Sequence, residues 1–135
     1  MMAVHTSALM AVDTSALMAV ILNEPPAEAC IGALERAPGL VISALTLAEA
    51  LVVATRRGVS AEMQELMDHL GFEVVPVSAA VARRIGDVYR RWGRGRHAAS
   101  LNFGDCFSYD TAKTRACPLL FVGDDFSKTD LESVL

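Results

Sequence analysis

Leu101-Asn102-Phe103-Gly104-Asp105-Cys106-Phe107-Ser108-Tyr109 is the stretch around which the rest of the sequence can be organised. Its apolar residues recur at the spacing of one helix face, which predicts a helix from about residue 103. That face comprises Phe103, Cys106, Phe107 and Ala112. Asn102 is suited to cap the helix, and Asp105 would then lie in the first turn, where the helix dipole favours a carboxylate. Such an acid either caps the helix or serves chemistry.

The composition indicates one folded domain. The chain has 135 residues, of which 53% are hydrophobic and 21% charged, and this excludes a disordered protein. A net charge of −4 gives no overall sign of nucleic-acid binding. Six of the twelve basic residues nevertheless fall in one short segment, namely Arg83, Arg84, Arg90, Arg91, Arg94 and Arg96. A local basic face of this kind can contact phosphate on an acidic protein.

The cysteines and the apolar N-terminus indicate a cytoplasmic protein without a membrane segment. Cys30, Cys106 and Cys117 form no CxxC pair, so a disulfide framework and a zinc cluster are not expected. Residues 1–22 are apolar, but they contain His5 and Asp13 and lack the basic start of a signal peptide. A strand and a helix explain this region better.

The N-terminus contains a near-repeat, in which residues 2–9 and 10–17 differ mainly by His5 against Asp13. Only one copy can fill the first strand, and the second copy leads into a helix over residues 15–22. We therefore expect the first strand at residues 10–13. Residues 1–9 are interpreted as a poorly ordered leader, and residues 10–135 as the domain.

Strand and helix patterns alternate along the remaining chain. Short apolar runs predict strands at residues 40–43, 72–77 and 119–122, the last of them central in the sheet. Helices are expected at residues 26–36, 44–57, 60–70, 78–92 and 103–116, with a short final element after residue 129. This order predicts an α/β domain of three layers, with a mostly parallel sheet of four to five strands.

Isolated acids mark one edge of that sheet. Asp13 follows the first strand, and Asp124 and Asp125 follow the last. Glu49 is the only charged residue between positions 41 and 55, and Asp105 opens the helix described above. Carboxylates in apolar surroundings are rarely buried unless they are paired or bind a metal ion. Their convergence would suit a hard divalent cation such as Mg²⁺ or Mn²⁺, which can activate water against a phosphodiester.

Five segments in the same order resemble those of PIN-domain ribonucleases, specifically VapC-type toxins of toxin–antitoxin pairs. The segments are residues 12–17, Thr46-x-x-Glu49, residues 93–97, residues 101–109 and residues 118–126. The resemblance implies a PIN-like fold and a Mg²⁺-dependent RNA endonuclease that is commonly dimeric and is neutralised by a VapB-like antitoxin. Val122 departs from the pattern, because Thr or Lys is often found near the last acid.

By the same resemblance, Asp13, Glu49 and Asp105 match the first three acids of the family. The fourth is either Asp125, which precedes Phe126, or Asp124. We expect Asp13 and Asp105 to bind the metal ion directly, and Glu49 and Asp125 to hold its waters. Thr14, Ser15, Arg94 and Arg96 are candidate RNA contacts, although Thr14 and Ser15 could hydrogen-bond Asp13 instead of a phosphate. Tyr89 and Trp92 are expected in the core or in a dimer interface.

Structural roles compete with these functional ones. Asp13 could simply cap the helix that follows it, and Glu49 could pair with an arginine. The chain could accordingly be a non-catalytic PIN-like domain that binds a partner. A receiver-like phosphoacceptor domain would need an acid pair near strand one and a Lys at the end of the last strand, whereas strand one has a single acid and the last strand ends in Gly-Asp-Asp. The apolar helices at 16–22 and 44–54 predict a homodimer and an antitoxin groove, and the RNA target stays open.

Overall fold

Four parallel strands form a single sheet in the computed structural model, which describes residues 9–135. The order across the sheet is β3-β2-β1-β4. The strands are β1 (Leu9–Val12), β2 (Gly39–Ser43), β3 (Glu73–Val75) and β4 (Leu119–Leu120). β1 pairs with β2 through Met10 and Leu40 and with β4 through Val12 and Leu120. The two central strands are therefore β1 and β2.

Six helices connect these strands and cover both faces of the sheet. They are α1 (Thr14–Ile21), α2 (Ala27–Arg36), α3 (Ala44–Arg56), α4 (Ser60–Leu70), α5 (Ala79–Trp92) and α6 (Phe103–Thr114). Polar caps set several of their ends, since Ser78 accepts a hydrogen bond from the Val81 amide and Gly71 ends α4 in the left-handed conformation. None of the helices within residues 9–135 is long and apolar enough to cross a membrane.

The core consists of two clusters, one on each face of the sheet. Ala11, Val41 and Leu119 point toward α5 and α6, whereas their neighbours along each strand point toward α1–α4. This alternation buries both faces of β1 and β2, as expected for a parallel sheet between helical layers. The predicted α/β fold of three layers is confirmed.

The structure corrects several predicted positions. The last strand was expected in the centre of the sheet, but β4 is short and pairs with one neighbouring strand, β1, besides an isolated bridge between Leu119 and Ser133. Residues 129–135 form no regular helix or strand. β1 begins at Leu9, one residue earlier than predicted, because Leu9 pairs with Gly39. The leader predicted for residues 1–9 otherwise lies outside the described residues.

Several arginines of the basic segment, residues 83–96, are engaged by other side chains of the protein. Arg84 donates two hydrogen bonds, of 2.9 and 3.1 Å, to Asp110, which is only 5% exposed. This pair joins α5 to α6, and it raises the pKa of the Arg84 guanidinium. Arg90 pairs with Asp87, and the Arg91 guanidinium lies 4.5 Å from the centre of the Trp92 ring. Within residues 9–135, the arginines of this segment that form no ion pair are Arg83, Arg94 and Arg96.

Candidate active site

Asp13 lies at the carboxyl end of β1, where it caps α1 and contacts α6. Its Oδ2 accepts hydrogen bonds from the Ser15 amide at 3.1 Å and from Ser15 Oγ at 2.8 Å. Its Oδ1 accepts one from Ser108 Oγ. Because Asp13 is 6% exposed, these donors replace water around both carboxylate oxygens. The capping role expected for Asp13 is present, and it fixes the carboxylate at the edge of the sheet.

Asp105 is held in the first turn of α6 by a capping box with Asn102. The Asn102 amide donates to Asp105 Oδ2 at 3.0 Å, and the Asp105 amide donates to Asn102 Oδ1 at 2.8 Å. The prediction of Asn102 as the N-cap is confirmed. Asp105 is 8% exposed, so one of its oxygens is anchored in a largely buried position.

The surroundings of Asp105 disfavour its charge. Burial raises the pKa of this carboxyl to about 6, against a lowering by its hydrogen bond to Asn102. The negative charges of Asp13, Asp125 and Glu49 raise it further. The charges of three carboxylates, from the end of β1, from α3 and from the segment after β4, therefore reach Asp105 at this edge of the sheet.

Glu49 reaches the same region from α3. Thr14 Oγ1 donates to Glu49 Oε1 at 2.8 Å, and its hydroxyl also lies 3.4 Å from the Thr46 carbonyl. The alternative in which Glu49 pairs with an arginine is not observed within residues 9–135. A Cβ at Gly104 would lie 2.6 Å from Glu49 Oε2. Glu49 therefore lies against the first turn of α6 because residue 104 has no side chain.

The two aspartates after β4 differ in their relation to the other acids. Both are exposed and follow Gly123, whose φ of 101° makes the turn. The charge of Asp125 contributes to the raised pKa of Asp105, and Asp124 is not among the charges that do so. Phe126 anchors this turn, since it is buried and packs edge-on against Phe121. The arrangement favours Asp125 over Asp124 as the fourth acid.

Three further residues support the acids, and the sequence indicated the role of only one of them. Ser15 was expected to hydrogen-bond either Asp13 or a phosphate, and its hydroxyl donates to Asp13 and accepts from the Val122 amide at 3.0 Å. Ser108 and Gly104 were not assigned a role. Helical spacing could have indicated Ser108, which lies three residues after Asp105 on the same side of α6. A glycine inside a helix also signals close approach by another group.

The other predicted RNA contacts fall into two groups. Thr14 is buried and its hydroxyl donates a hydrogen bond to Glu49, so it holds one of the acids in place. Arg94 and Arg96 are exposed in the loop between α5 and α6. Arg94 also lines a groove that Asn102 and Phe103 border. The structure thus brings Thr14 and Ser15 to the acid cluster and leaves the two arginines beside it.

The carboxylates of this cluster offer the oxygen ligands that a divalent cation such as Mg²⁺ prefers. Within residues 9–135, no three side chains of Asp, Glu, His or Cys are close enough together to hold a metal ion in this arrangement. Mg²⁺ usually takes only one or two carboxylates and keeps several waters, so three direct ligands are not required. Uncompensated carboxylate charge around Asp105 is what a cation would relieve. The residues therefore fit a hydrated cation with oxygen ligands.

Comparisons with known proteins match this description. The PIN domain family model matches residues 10–132. A protein described as ribonuclease VapC, from Mycolicibacterium smegmatis, is 41% identical, and the match covers 98% of this chain and 99% of that protein. VapC20 of Mycobacterium tuberculosis, described as a toxin that cleaves the sarcin–ricin loop, has a TM-score of 0.75 at 17% identity, covering 91% and 96% of the two chains. A toxin–antitoxin complex from Klebsiella pneumoniae has a TM-score of 0.71 at 19% identity, covering 93% and 96%.

The raised pKa of Asp105 predicts that this acid destabilises the fold in the absence of metal. A carboxyl whose pKa is higher in the folded protein costs stability as the pH rises above its ordinary value of 3.8, and the full cost is present above about 6. We expect Asp105→Asn, which keeps an acceptor for the Asn102 amide, to raise the free energy of unfolding by about 1–3 kcal/mol at pH 7.5. Urea denaturation in EDTA measures this difference.

The same measurement at pH 4.5 provides the control. There the folded wild-type protein carries a neutral Asp105, so the gain from Asp105→Asn should fall by more than half. A gain that is independent of pH would show that the substitution acts through packing, and no gain at pH 7.5 would contradict the raised pKa that burial and the neighbouring acids give Asp105.

Proposed function

The chain belongs to the PIN-domain family and matches its VapC ribonucleases over nearly its whole length, and from this premise we propose that it is a Mg²⁺-dependent endoribonuclease toxin. The observation that carries the proposal is the cluster of Asp13, Glu49, Asp105 and Asp125, in which the pKa of Asp105 is raised to about 6. A fold rarely keeps such repulsion unless a positively charged ligand balances it. Mn²⁺ would fit the same oxygen ligands.

Asp13 and Asp105 would hold the cation, and Glu49 and Asp125 would hold its waters, with Asp124 as the alternative to Asp125. When bound, the cation lowers the pKa of water and neutralises charge at the scissile phosphodiester. Ser15 and Ser108 orient the Asp13 carboxylate, and Asn102 orients Asp105. The chain thus supplies ligands whose positions are set before the substrate binds.

Glu49 is positioned to accept the proton that the attacking water loses. Its Oε1 is held by Thr14, whereas its Oε2 accepts no hydrogen bond from the described residues and faces the first turn of α6. Oε2 is therefore the atom that can accept this proton. The phosphate of the RNA would meet the exposed guanidinium groups of Arg94 and Arg96, whose geometry suits phosphate oxygens.

The two alternative functions have less support. A non-catalytic partner-binding domain would have no use for four mutually repelling carboxylates, yet Ser15, Ser108 and Thr14 all hold such groups in place. A receiver-like phosphoacceptor domain would need an acid pair after β1 and a lysine after β4. β1 is followed by the single acid Asp13, and β4 leads to Gly123-Asp124-Asp125.

Cleavage of labelled total RNA by the purified protein tests the proposal. We expect discrete fragments with Mg²⁺ or Mn²⁺ and none with EDTA. Asp105→Asn should reduce the rate at least about 100-fold, because it removes a charged ligand from the reacting centre. Equal cleavage by the variant would indicate a contaminating nuclease. No cleavage and no binding of Mg²⁺ by calorimetry would overturn the proposal in favour of a non-catalytic domain.

Gly104→Ala separates activity from stability. The new methyl group would lie 2.6 Å from Glu49 Oε2, so the carboxylate must move away. We expect kcat to fall about tenfold or more, while the free energy of unfolding stays equal or rises, since alanine favours a helix by about 1 kcal/mol over glycine. Assays of kcat and urea denaturation measure both effects.

Gly32→Ala is the matched control for this variant. Gly32 also lies inside a helix, and its added Cβ would meet only the flexible end of Arg36. It should leave cleavage unchanged. Unaltered kcat in Gly104→Ala would contradict the role given to the Glu49 position.

We also propose a homodimer and a VapB-like antitoxin as partners in the cytoplasm. Most apolar side chains of α1 are buried in the chain's own core, so the sequence-based reason for these partners is reduced for that helix. In α3 only Ala50 and Ala54 among the apolar residues are buried, and the others are half-buried or exposed. Val52 of α3 is 52% exposed. An open groove of about 480 Å³ lies between α1, α2 and α4 and is bordered by Val20, Leu34 and Leu66. The groove offers a place for an apolar antitoxin segment.

Sedimentation of the free protein tests the dimer. We expect a particle of twice the 14.4 kDa of one chain, and Val52→Glu should shift it toward the monomer. A strict monomer at high concentration would contradict the proposal of a dimer. Suppression of RNA cleavage by a co-purified antitoxin is the corresponding measurement for that partner.

A further inference from the structure

We propose that the groove between α5 and the first turn of α6 binds one unpaired nucleobase of the RNA substrate, beside the point of cleavage. This inference rests on the proposed ribonuclease function. The groove, here called the base groove, has a volume of about 540 Å³. It is lined by Ile85, Gly86, Tyr89, Arg94, Asn102 and Phe103.

Phe103 presents an aromatic ring to solvent in the base groove. It is 64% exposed, the highest value among the large exposed hydrophobic residues of the described chain. Its ring packs edge-on against Phe107, with the ring centres 5.1 Å apart. Stacking on such a ring holds unpaired bases in many proteins that bind single-stranded RNA.

Tyr89 forms a second aromatic wall. The expectation that Tyr89 lies in the core is wrong, since it is 39% exposed, whereas Trp92 is buried as expected. The Tyr89 hydroxyl donates to the Arg94 carbonyl at 3.2 Å, which fixes the ring relative to the loop that carries Arg94. The two rings therefore belong to elements that are held in place before a ligand enters.

Gly86 forms an open part of the base groove. It lies inside α5, where glycine weakens a helix relative to alanine. A Cβ at this position would meet no atom within 4 Å, so no close packing within the described chain requires a glycine there. Its lack of a side chain instead leaves room between α5 and Phe103.

The base groove is joined directly to the acid cluster by Asn102. This residue lines the groove, and its amide donates to Asp105 Oδ2 at 3.0 Å. Phe103 and Asp105 lie in the same helical turn, which rises about 5.4 Å. A base in the groove would thus belong to a nucleotide next to the phosphodiester that the acids act on.

Charge favours a nucleotide over an apolar protein segment as the occupant. Arg94 borders the groove and, within the described residues, forms no ion pair, so its guanidinium is free for the phosphate of the bound nucleotide. Arg96 is exposed in the same loop, two residues further along the chain. Aromatic rings, one planar amide and an arginine together match a base with its phosphate.

The test uses single-stranded RNA oligonucleotides made from a fragment that the unaltered protein cuts in total RNA with Mg²⁺. We expect Phe103→Ala to raise KM about tenfold or more, the range of a lost base–aromatic stack, and Phe103→Trp to restore it. Gly86→Leu, which fills the groove, should act like Phe103→Ala, and Gly86→Ala should have a smaller effect. Val77→Ala, which removes another exposed apolar side chain, is the control.

Abasic substitution along the oligonucleotide gives the decisive comparison. One nucleotide next to the cut should be found whose missing base raises KM for the unaltered protein as much as Phe103→Ala does, and raises it no further for that variant. Additive losses at every position, or an unchanged KM in Phe103→Ala, would overturn the base groove while cleavage itself stands.

Two other outcomes are also distinguishable. If Phe103→Ala lowers activity only by dissociating a dimer in sedimentation, the surface belongs to a second copy of the chain and the inference fails. If the unaltered protein cuts no RNA with Mg²⁺, the proposed function fails, and the base groove falls with it.

Discussion

Repulsion among carboxylates at one edge of a parallel sheet is the constraint on which the rest of this structure depends. The carboxyl ends of parallel strands meet at one edge, and Asp13 and the segment after β4 lie there together. α3 and α6 add Glu49 and Asp105. A cluster of this kind is unstable by itself, so the surrounding hydroxyl and amide donors compensate part of the charge. Burial and, after it, the charges of Asp13, Asp125 and Glu49 still raise the pKa of Asp105, so the compensation is incomplete.

The structural and functional interpretations of Asp13 and Asp105 prove compatible. Each carboxylate caps a helix, through Ser15 in one case and Asn102 in the other, and these hydrogen bonds determine where it lies. A cap places an acid at a helix N-terminus, where backbone amides and the dipole favour negative charge. Capping thus lowers the free-energy cost of placing several carboxylates close together. It uses only Oδ2 of Asp105, so the other carboxylate oxygen takes no part in the cap.

The sequence was sufficient for the fold class, the helices and the acids, because those depend on local periodicity and on charged residues in apolar surroundings. It was insufficient where the outcome depended on which strands become neighbours. β4 was expected in the centre, yet no local pattern shows that β1 has only β2 and β4 beside it. The Arg84–Asp110 pair and the Ser108–Asp13 bond join residues 26 and 95 positions apart, and single-sequence patterns do not report such contacts.

The first turn of α6 lies between the acid cluster and the base groove, and it contributes residues to both. On one side, Gly104 admits the Glu49 carboxylate; on the other, Phe103 borders the base groove. Asn102 belongs to both, since it lines the groove and holds Asp105. A base stacked on Phe103 would therefore immobilise Asn102, which orients the Asp105 carboxylate. Substrate position and carboxylate position are then coupled through one capping box, so the bound RNA would itself help to order the site that cuts it.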